Sequence, residues 1–376
     1  MDLSAAVVPV GSSQQPASQH EALLSITSEE VVGRIEDAVA SIVEMMDEEK
    51  LPSIHPNSNS GGDKCLKRFT LVQSRSFTSV LMVLSYCHSL LGHNRSTTTR
   101  EVYYFFVTHF RNQRECDHAI WETAELIGVP RVTLGLAASP KGWFCGSLEI
   151  SRNGNVTDAQ ALSSIQGLPI TREWFDWKQH FQIKTAATCI IVIEKEGIYN
   201  RLSEDRFFER VPCILVTGKG FPDLATRAFV SSLYQQFNLP VYGICDCNPY
   251  GVGVLWTYYK GSKRIGLDGE DRYSVPIQWL GLRPKQVEKL RKAAKLPPDV
   301  YQQMTDFDRK KLESFCQESH EFQANGTGRL EELLIMQKNG YKVELEALQW
   351  MGMNYICDWL EEVLEKHEDG EEGWII

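Results

Sequence analysis

Two acidic side chains in the middle of the chain follow directly on apolar runs. Glu194 comes after IIVI and Asp246 after VYGIC, and Asn248 lies two positions beyond Asp246. Carboxylate and amide oxygens suit Mg²⁺, which takes one or two carboxylates and completes its shell with water and phosphate oxygens. The sequence therefore predicts a magnesium site. A solvated glutamate at a strand end and an Asx-type turn at DCNPYG are the open alternative.

A tyrosine pair, Tyr103 and Tyr104, lies in the segment TTTREVYYFFVTHF. The threonine run predicts the start of a helix, and Arg100 lies one turn before Tyr104 on the same helical face. A phenol has a pKa near ~10, so it becomes a nucleophile only beside a cation or base, and an arginine can also clamp a phosphate. Aromatic packing in a core is the alternative that spacing alone leaves open.

The elements that must position the acids show an α/β pattern. From 187 onward, continuous apolar runs alternate with helical stretches, which predicts a parallel sheet covered on both faces. Ligands collect at the carboxyl ends of strands in such sheets, where the acids and the loop Thr217-Gly218-Lys219-Gly220 fall. Beyond 283 the pattern is mostly helical, through RPKQVEKLRKAA, DFDRKKLESFC and GTGRLEELLIMQ.

The segment around the tyrosines has a different pattern. A strand-like RFTLV precedes helical patterns at 77–92, 98–110 and 114–127. The pieces TLGLAAS and WFCGSLEI then flank Pro140-Lys141-Gly142, a turn context that predicts a two-stranded hairpin. Three helices closed by a hairpin indicate a winged-helix arrangement.

The N-terminal region precedes both patterns. Residues 1–20 predict a disordered lead, 28–49 an amphipathic helix and 51–63 a linker. The helix either folds back on its own domain or docks on another subunit. Both alternatives stay open at the level of sequence.

The net charge of −10 and the pI near 5.5 at first argue against nucleic acid. The acids, however, are concentrated at 1–63 and 361–376, whereas 64–142 holds ten basic residues against five acidic ones. That window is therefore the predicted DNA contact. Ten cysteines without a C-x-x-C pair indicate reduced, buried thiols, and the chain has no signal-peptide pattern or long apolar run. These features predict a soluble intracellular protein.

Four motifs carry a resemblance to a known family. RxxYY with RVTLGLAASPKGWFCG resembles the winged-helix domain of type IIB topoisomerase A subunits and of the meiotic double-strand-break transesterases related to them. VIEKEGIYNRL, TGKGFPDLATR and CDCNPYG resemble, in order, the three strand-end motifs of the Toprim domain that follows. The resemblance covers about 65–350 and implies a mixed α and α/β fold. It implies the following domains: a lead, helix and linker at 1–63, a CAP-like winged-helix domain at 64–165, a Toprim domain with C-terminal helices at 166–360, and an acidic tail at 361–376.

The resemblance also implies residue roles. Tyr104 falls on the nucleophile with Arg100 as its arginine, and Glu194 and Asp246 fall on the metal-binding acids. Where the family has a further aspartate, this chain has Asn248, a neutral third ligand. The DNA-contacting residues that the resemblance implies are Lys141, Gly142 and Lys219.

The activity implied is Mg²⁺-dependent, ATP-independent cleavage of double-stranded DNA that leaves a 5′-phosphotyrosyl link and starts meiotic recombination in the nucleus. Implied partners are a second copy or a paralogue, whose metal site works with the tyrosine of this chain, and a topoisomerase VI B-like subunit bound through the N-terminal helix. The Ser- and Gln-rich lead and CDCNPYG favour a eukaryotic, plant-like meiotic copy. Alternatives are a topoisomerase VI A subunit that passes and reseals DNA, a non-catalytic subunit paired with an active paralogue, and a hydrolytic Toprim nuclease.

Overall fold

The chain forms two compact units. The computed structural model describes residues 26–55, 67–137, 140–161, 167–176, 180–261, 273–321 and 327–368. The first unit ends at Ala137, and the second contains every described residue from Pro140 onward. The boundary was expected at residue 165. It lies earlier, because the segment after Pro140 joins the sheet of the second unit. The predicted lead at 1–20, most of the linker and the tail from 369 lie outside the described residues.

The first unit is mainly helical. Its helices are α1 (Ser28–Asp47), α2 (Ser74–Gly92), α3 (Thr99–Phe105) and α4 (Gln113–Ile127). Its strands are β1 (Ser53–Ile54) and β2 (Lys67–Arg68), which pair antiparallel, and β3 (Thr97–Thr98) and β4 (Leu136–Ala137), which pair parallel. The predicted helices are confirmed, with α3 ending five residues early. The predicted strand RFTLV is wrong after its first residue, since Leu71 and Val72 are 99% and 93% exposed in a turn.

Helix α1 packs on its own unit. Thr27 caps it by accepting a hydrogen bond from the Glu30 amide, and Val31, Ile35 and Ile42 lie buried in the core of the unit. The alternative in which the helix folds back is therefore the one observed. Apolar side chains next to this buried stripe stay exposed, namely Val39, Val43 and Met46.

The second unit is built on a mixed six-stranded sheet. The strands are β5 (Trp143–Gly146), β8 (Leu168–Pro169), β10 (Cys189–Ile193), β11 (Cys213–Thr217), β12 (Val241–Ile244) and β13 (Ile277–Gly281), in the order β13-β12-β10-β11-β5-β8. The first four in that order are parallel. β5 runs antiparallel to its neighbour β11, and β8 runs antiparallel to β5. Every residue of β10, β11 and β12 is buried, so both faces of the sheet are covered, as the continuous apolar runs predict.

Helices and smaller strands complete the second unit. The helices are α5 (Glu196–Glu204), α6 (Phe207–Arg210), α7 (Leu224–Phe237), α8 (Pro249–Lys260), α9 (Pro284–Lys292), α10 (Asp306–Glu321), α11 (Thr327–Asn339) and α12 (Tyr355–Glu368). The strands are β6 (Leu148–Arg152), β7 (Asn155–Asp158), β9 (Gln182–Thr185), β14 (Gln302–Gln303) and β15 (Tyr341–Lys342), and a 3-10 helix spans Leu345–Met351. No helix within the described ranges has the length and apolarity needed to cross a bilayer.

The predicted hairpin is wrong. Its second piece splits, because Trp143–Gly146 pairs with β11 while Leu148–Arg152 forms a separate sheet with β7 and β9. Within its first piece, Leu136–Ala137 pairs with β3 instead. The physical reason is that WFCG is apolar throughout, which suits the inside of a sheet rather than a half-exposed hairpin. The cysteine prediction is confirmed for the described residues, whose nine cysteines are all buried and free of disulfides.

Candidate metal centre and nucleophile

The acid pair lies at the ends of two neighbouring parallel strands. Ile193 of β10 is in register with Ile244 of β12, and the Glu194 amide continues the ladder by donating to the Ile244 carbonyl at 3.0 Å. The Asp246 amide then donates to Glu194 Oε2 at 2.9 Å. The parallel register therefore brings two acids, 52 positions apart in sequence, to the same edge of the sheet, as the sequence predicts.

Burial disfavours the charged forms of both acids. Burial, and next the charge of Asp246, raise the pKa of Glu194 to about 7. Burial also raises the pKa of Asp246 to about 6, against the lowering effect of the hydrogen bond from the Leu345 amide. A divalent cation stabilises the ionised form of both side chains, so the pair fits Mg²⁺. Among the described residues no group of three or more His, Cys, Asp or Glu is arranged to hold a metal, which leaves two carboxylates as candidate ligands.

Gly251 in the first turn of α8 lets the helix approach the acids closely. A Cβ at this position would lie 2.5 Å from the Asp246 carbonyl oxygen and 2.9 Å from Glu194 Oε2. Both distances are far below van der Waals contact, and the first involves backbone that cannot move away easily. A glycine is therefore needed here for steric reasons and not for an unusual backbone conformation.

Asn248 caps helix α8. Its Oδ1 accepts hydrogen bonds from the amides of Tyr250 at 2.9 Å and Gly251 at 2.8 Å. An amide oxygen has two lone pairs, and both are used by these donors. The role of Asn248 as a metal ligand stays a prediction, and the two carboxylates are the better-supported ligands.

Lys195, the residue after Glu194, contacts three carboxylates. Its Nζ lies 3.3 Å from Asp246 Oδ2, 3.1 Å from Glu344 Oε2 and 2.8 Å from Glu346 Oε2. Partial burial lowers the pKa of Lys195, but the hydrogen bond to Glu346 and the charge of Asp246 outweigh it, so the pKa lies above its usual value. Lys195 is therefore a fixed positive charge against one of the candidate metal ligands.

The two predicted DNA-contacting lysines lie together at this edge. Lys141 Nζ donates to the Lys219 carbonyl oxygen at 3.3 Å, and Lys219 Nζ lies 2.7 Å from Glu196 Oε1. Lys219 adopts a left-handed conformation with φ of 51°, after which the Gly220 amide donates to the Glu194 carbonyl at 2.8 Å. The turn therefore ties a pair of cationic side chains to the strand that ends at Glu194.

Gly142, also predicted to contact DNA, has a packing role in the structure. A Cβ there would lie 2.1 Å from Thr226 Oγ1 and 3.0 Å from Ile170 Cδ1. Its neighbour Lys141 is exposed, and the Lys141 amide donates to Asp223 Oδ2 at 3.0 Å. The close packing of Gly142 thus fixes the place from which the Lys141 side chain extends.

Tyr104 is 61% exposed on α3 of the first unit. A capping box holds the start of that helix: the Glu101 amide donates to Thr98 Oγ1 at 3.1 Å, and the Thr98 amide donates to Glu101 Oε2 at 2.8 Å. Arg100 is exposed one turn before Tyr104, and the ring of Tyr103 is half-buried with its centroid 5.5 Å from that of Tyr104. The exposed phenol is accessible to a substrate, and its neighbouring arginine shares its helical face.

Sequence reasoning missed three residues of the site, namely Lys195, Glu344 and Glu346. Lys195 was adjacent to a predicted ligand, and the pattern acid-base-acid at 194–196 was a usable signal. The two glutamates follow the strand β15, about 150 positions away, and carry no local signal. The tertiary pairing of Cys247 with Val343 and the hydrogen bond from the Leu345 amide to Asp246 bring them to the acid pair.

Comparison with known families defines the class of protein. The family model for the Toprim domain of the topoisomerase 6 A subunit and Spo11 matches residues 189–363, which contain the acid pair. The model "Type IIB DNA topoisomerase" matches residues 75–136, which contain Tyr104. Each match falls within one of the two structural units. The fold and the site therefore define an A-type chain of the type IIB topoisomerase class.

Individual relatives narrow this class to a family. The chain is similar to the A subunit of DNA topoisomerase 6 from Arabidopsis thaliana (32% identity over 78% of this chain and 66% of the relative). It is also similar to the "Meiotic recombination protein SPO11-2" of Oryza sativa subsp. japonica (31% identity over 75% of this chain and 72% of the relative). A third relative is the "Meiotic recombination protein SPO11" of Mus musculus (28% identity over 93% of this chain and 90% of the relative). The chain belongs to the family that unites Spo11 with the A subunits of topoisomerase 6. It spans just under two thirds of the topoisomerase 6 relatives, at 66% and 62% of their lengths.

Proposed function

We propose that this chain is the DNA-cleaving subunit that makes the double-strand breaks of meiotic recombination. The observation that carries the proposal is the acid pair Glu194 and Asp246, at the sheet edge where Lys141 and Lys219 also lie. The first unit of the same chain exposes Tyr104. Carboxylates that hold a cation, next to cationic side chains, form a surface that suits a phosphodiester backbone.

The reaction is a transesterification. The Tyr104 oxygen attacks a backbone phosphorus in line and loses its proton, the 3′ oxygen leaves and is protonated, and a 5′-phosphotyrosyl link forms. One phosphodiester replaces another, so cleavage itself needs no ATP. Arg100 holds the phosphate and favours the ionised phenol. Glu194 and Asp246 hold Mg²⁺, which when bound supplies charge neutralisation at the phosphate and the leaving oxygen.

Assembly follows from the same proposal. The helical first unit serves as a DNA-binding domain, and a second copy or a paralogue supplies the other half of a double-strand cut. A topoisomerase VI B-like subunit binds the exposed apolar side of α1, at Val39, Val43 and Met46. The chain acts in the nucleus, on meiotic chromosomes.

The share of each relative's length that this chain matches supports the meiotic branch over topoisomerase VI. The mouse meiotic relative matches 93% of this chain and 90% of its own length, whereas the Arabidopsis topoisomerase 6 relative is matched over 66% of its length. The topoisomerase role is the second candidate, because relatives of that name reach 32% identity. Incubation with a B subunit, ATP and catenated DNA separates the two, since strand passage and resealing would contradict the meiotic proposal.

The decisive experiment is recovery of the protein–DNA link. Complexes isolated from cells that make breaks should carry an oligonucleotide on Tyr104, seen by mass spectrometry. Tyr104→Phe should abolish breaks, while Tyr103→Phe should retain them because Tyr103 only packs beside it. Normal breaks with Tyr104→Phe in this chain would point to a non-catalytic subunit, and breaks without any protein link would point to a hydrolytic nuclease.

A further inference from the structure

Lys195 occupies the position of a counter-ion in the acid cluster. Its ammonium group lies within 3.3 Å of three carboxylates from two segments: Asp246 after β12, and Glu344 and Glu346 at the start of the 3-10 helix. Only Asp246 among these three is a candidate metal ligand. A single cation is therefore shared between the metal site and two acids beside it.

The backbone fixes this arrangement. Lys195 is the N-cap residue of α5 and follows Glu194 directly, so its side chain starts at the strand end itself. The Leu345 amide donates to Asp246 Oδ1 at 2.8 Å, which holds the residues on either side of Leu345 against the same carboxylate. Lys195 can move only by side-chain rotation, and Glu344 and Glu346 remain within its reach when it leaves Asp246.

We propose that Lys195 is a built-in competitor of the metal at Asp246, and that Glu344 and Glu346 retain its ammonium group when the metal binds. This inference rests on the proposed metal site. Without Lys195 the acid cluster would bind divalent cations tightly; with it, the metal binds weakly. The proposal assigns Lys195 a positioning role, because it acts through Asp246 and touches no reacting atom.

The charges allow an estimate of the effect. A divalent ion on Asp246 and an ammonium group about 5 Å away repel each other, and even at a water-like dielectric constant this changes metal affinity by roughly tenfold or more. Removal of Lys195 therefore strengthens metal binding. Removal of Glu346 has the opposite effect, because it leaves more of the Lys195 charge on Asp246.

Mn²⁺ binding to the purified full chain, measured by electron paramagnetic resonance, tests the proposal without relying on cleavage. Lys195→Met should bind Mn²⁺ about tenfold more tightly than the wild type, and Lys195→Arg should bind within about twofold of it. Glu346→Gln should bind several-fold more weakly. In the Lys195→Met background, most of the Glu346→Gln effect should disappear, because it acts through Lys195.

The outcomes separate two failures. If Glu194→Gln binds Mn²⁺ as the wild type does, the metal site of the proposed function is wrong, and this inference is overturned with it. If Glu194→Gln loses Mn²⁺ but Lys195→Met binds no more tightly than the wild type, only the role of Lys195 is overturned. If Lys195→Met fails to fold, Glu346→Gln decides alone: weaker binding supports the proposal, and unchanged or tighter binding overturns it.

Discussion

Replacement of Glu194 by glutamine should stabilise the metal-free protein at neutral pH. Burial and the charge of Asp246 raise the pKa of Glu194 from 4.5 to about 7, so the folded state favours the neutral carboxyl. A carboxyl with a raised pKa contributes its full stability below the unfolded value and loses it as the pH rises through the folded value. Glutamine is neutral throughout, and its side-chain oxygen can still accept the hydrogen bond from the Asp246 amide.

The pKa shift sets the magnitude. One pKa unit corresponds to about 1.4 kcal/mol, so a shift from 4.5 to about 7 gives at most about 3 kcal/mol. The difference between variant and wild type should be close to zero near pH 4 and grow up to about pH 7. Above about pH 7 it should stay constant, because the wild-type carboxyl is then ionised in both states.

The assay is denaturant unfolding in EDTA at about pH 5 and pH 8, followed on the transition of the second unit. Glu196→Gln is the matched control: Glu196 is partly exposed and paired with Lys219, so its loss should change stability by less than about 1 kcal/mol. Saturating Mg²⁺ should reverse the order, since only the wild type binds it. A variant less stable than the wild type at pH 8 in EDTA would refute the reasoning.

Three further predictions concern the positions around the two sites. Gly251→Ala should cost about 2–4 kcal/mol in thermal unfolding, because its Cβ would lie 2.5 Å from the Asp246 carbonyl oxygen; a loss below about 0.5 kcal/mol would contradict the tight packing. Asn248→Asp should keep the helix cap and strengthen Mn²⁺ binding, whereas Asn248→Ala should lose about 1 kcal/mol of stability; equal stability of all three proteins would argue against the cap. Thr98→Ala should destabilise the first unit by about 1 kcal/mol and reduce cleavage, while the Mn²⁺ affinity of the second unit stays unchanged.

Local pattern was sufficient for most of the α/β unit and for its acid pair. Runs such as CIIVI are apolar at every position, which suits only a strand buried on both faces. Parallel strands end at one edge, so Glu194 and Asp246 could be placed together before any tertiary contact was known. The helices with clear periodicity, including α1 and α2, were predicted for the same reason.

Sequence pattern could not predict which distant segments of the chain pair with one another. The apolar run WFCG indicates a strand but does not identify its partner, β11, which begins at Cys213. The β-propensity of RFTLV predicted a strand, but in the structure Leu71 and Val72 lie in a turn and are exposed to solvent. The glutamates that contact Lys195 were also missed, because they meet it through tertiary contacts, namely the pairing of Cys247 with Val343 and the hydrogen bond from the Leu345 amide to Asp246.

That pairing changes how damage to the C-terminal region should be understood. Cys247 exchanges backbone hydrogen bonds with Val343, and the Leu345 amide donates to the Asp246 carboxylate, so the segment 343–345 lies against the proposed metal centre. A substitution at 343–346 should therefore act like a substitution of the acids themselves: we expect it to reduce DNA cleavage more than it reduces the abundance of the protein. Inherited variants in this stretch should be classified with those of the acids themselves.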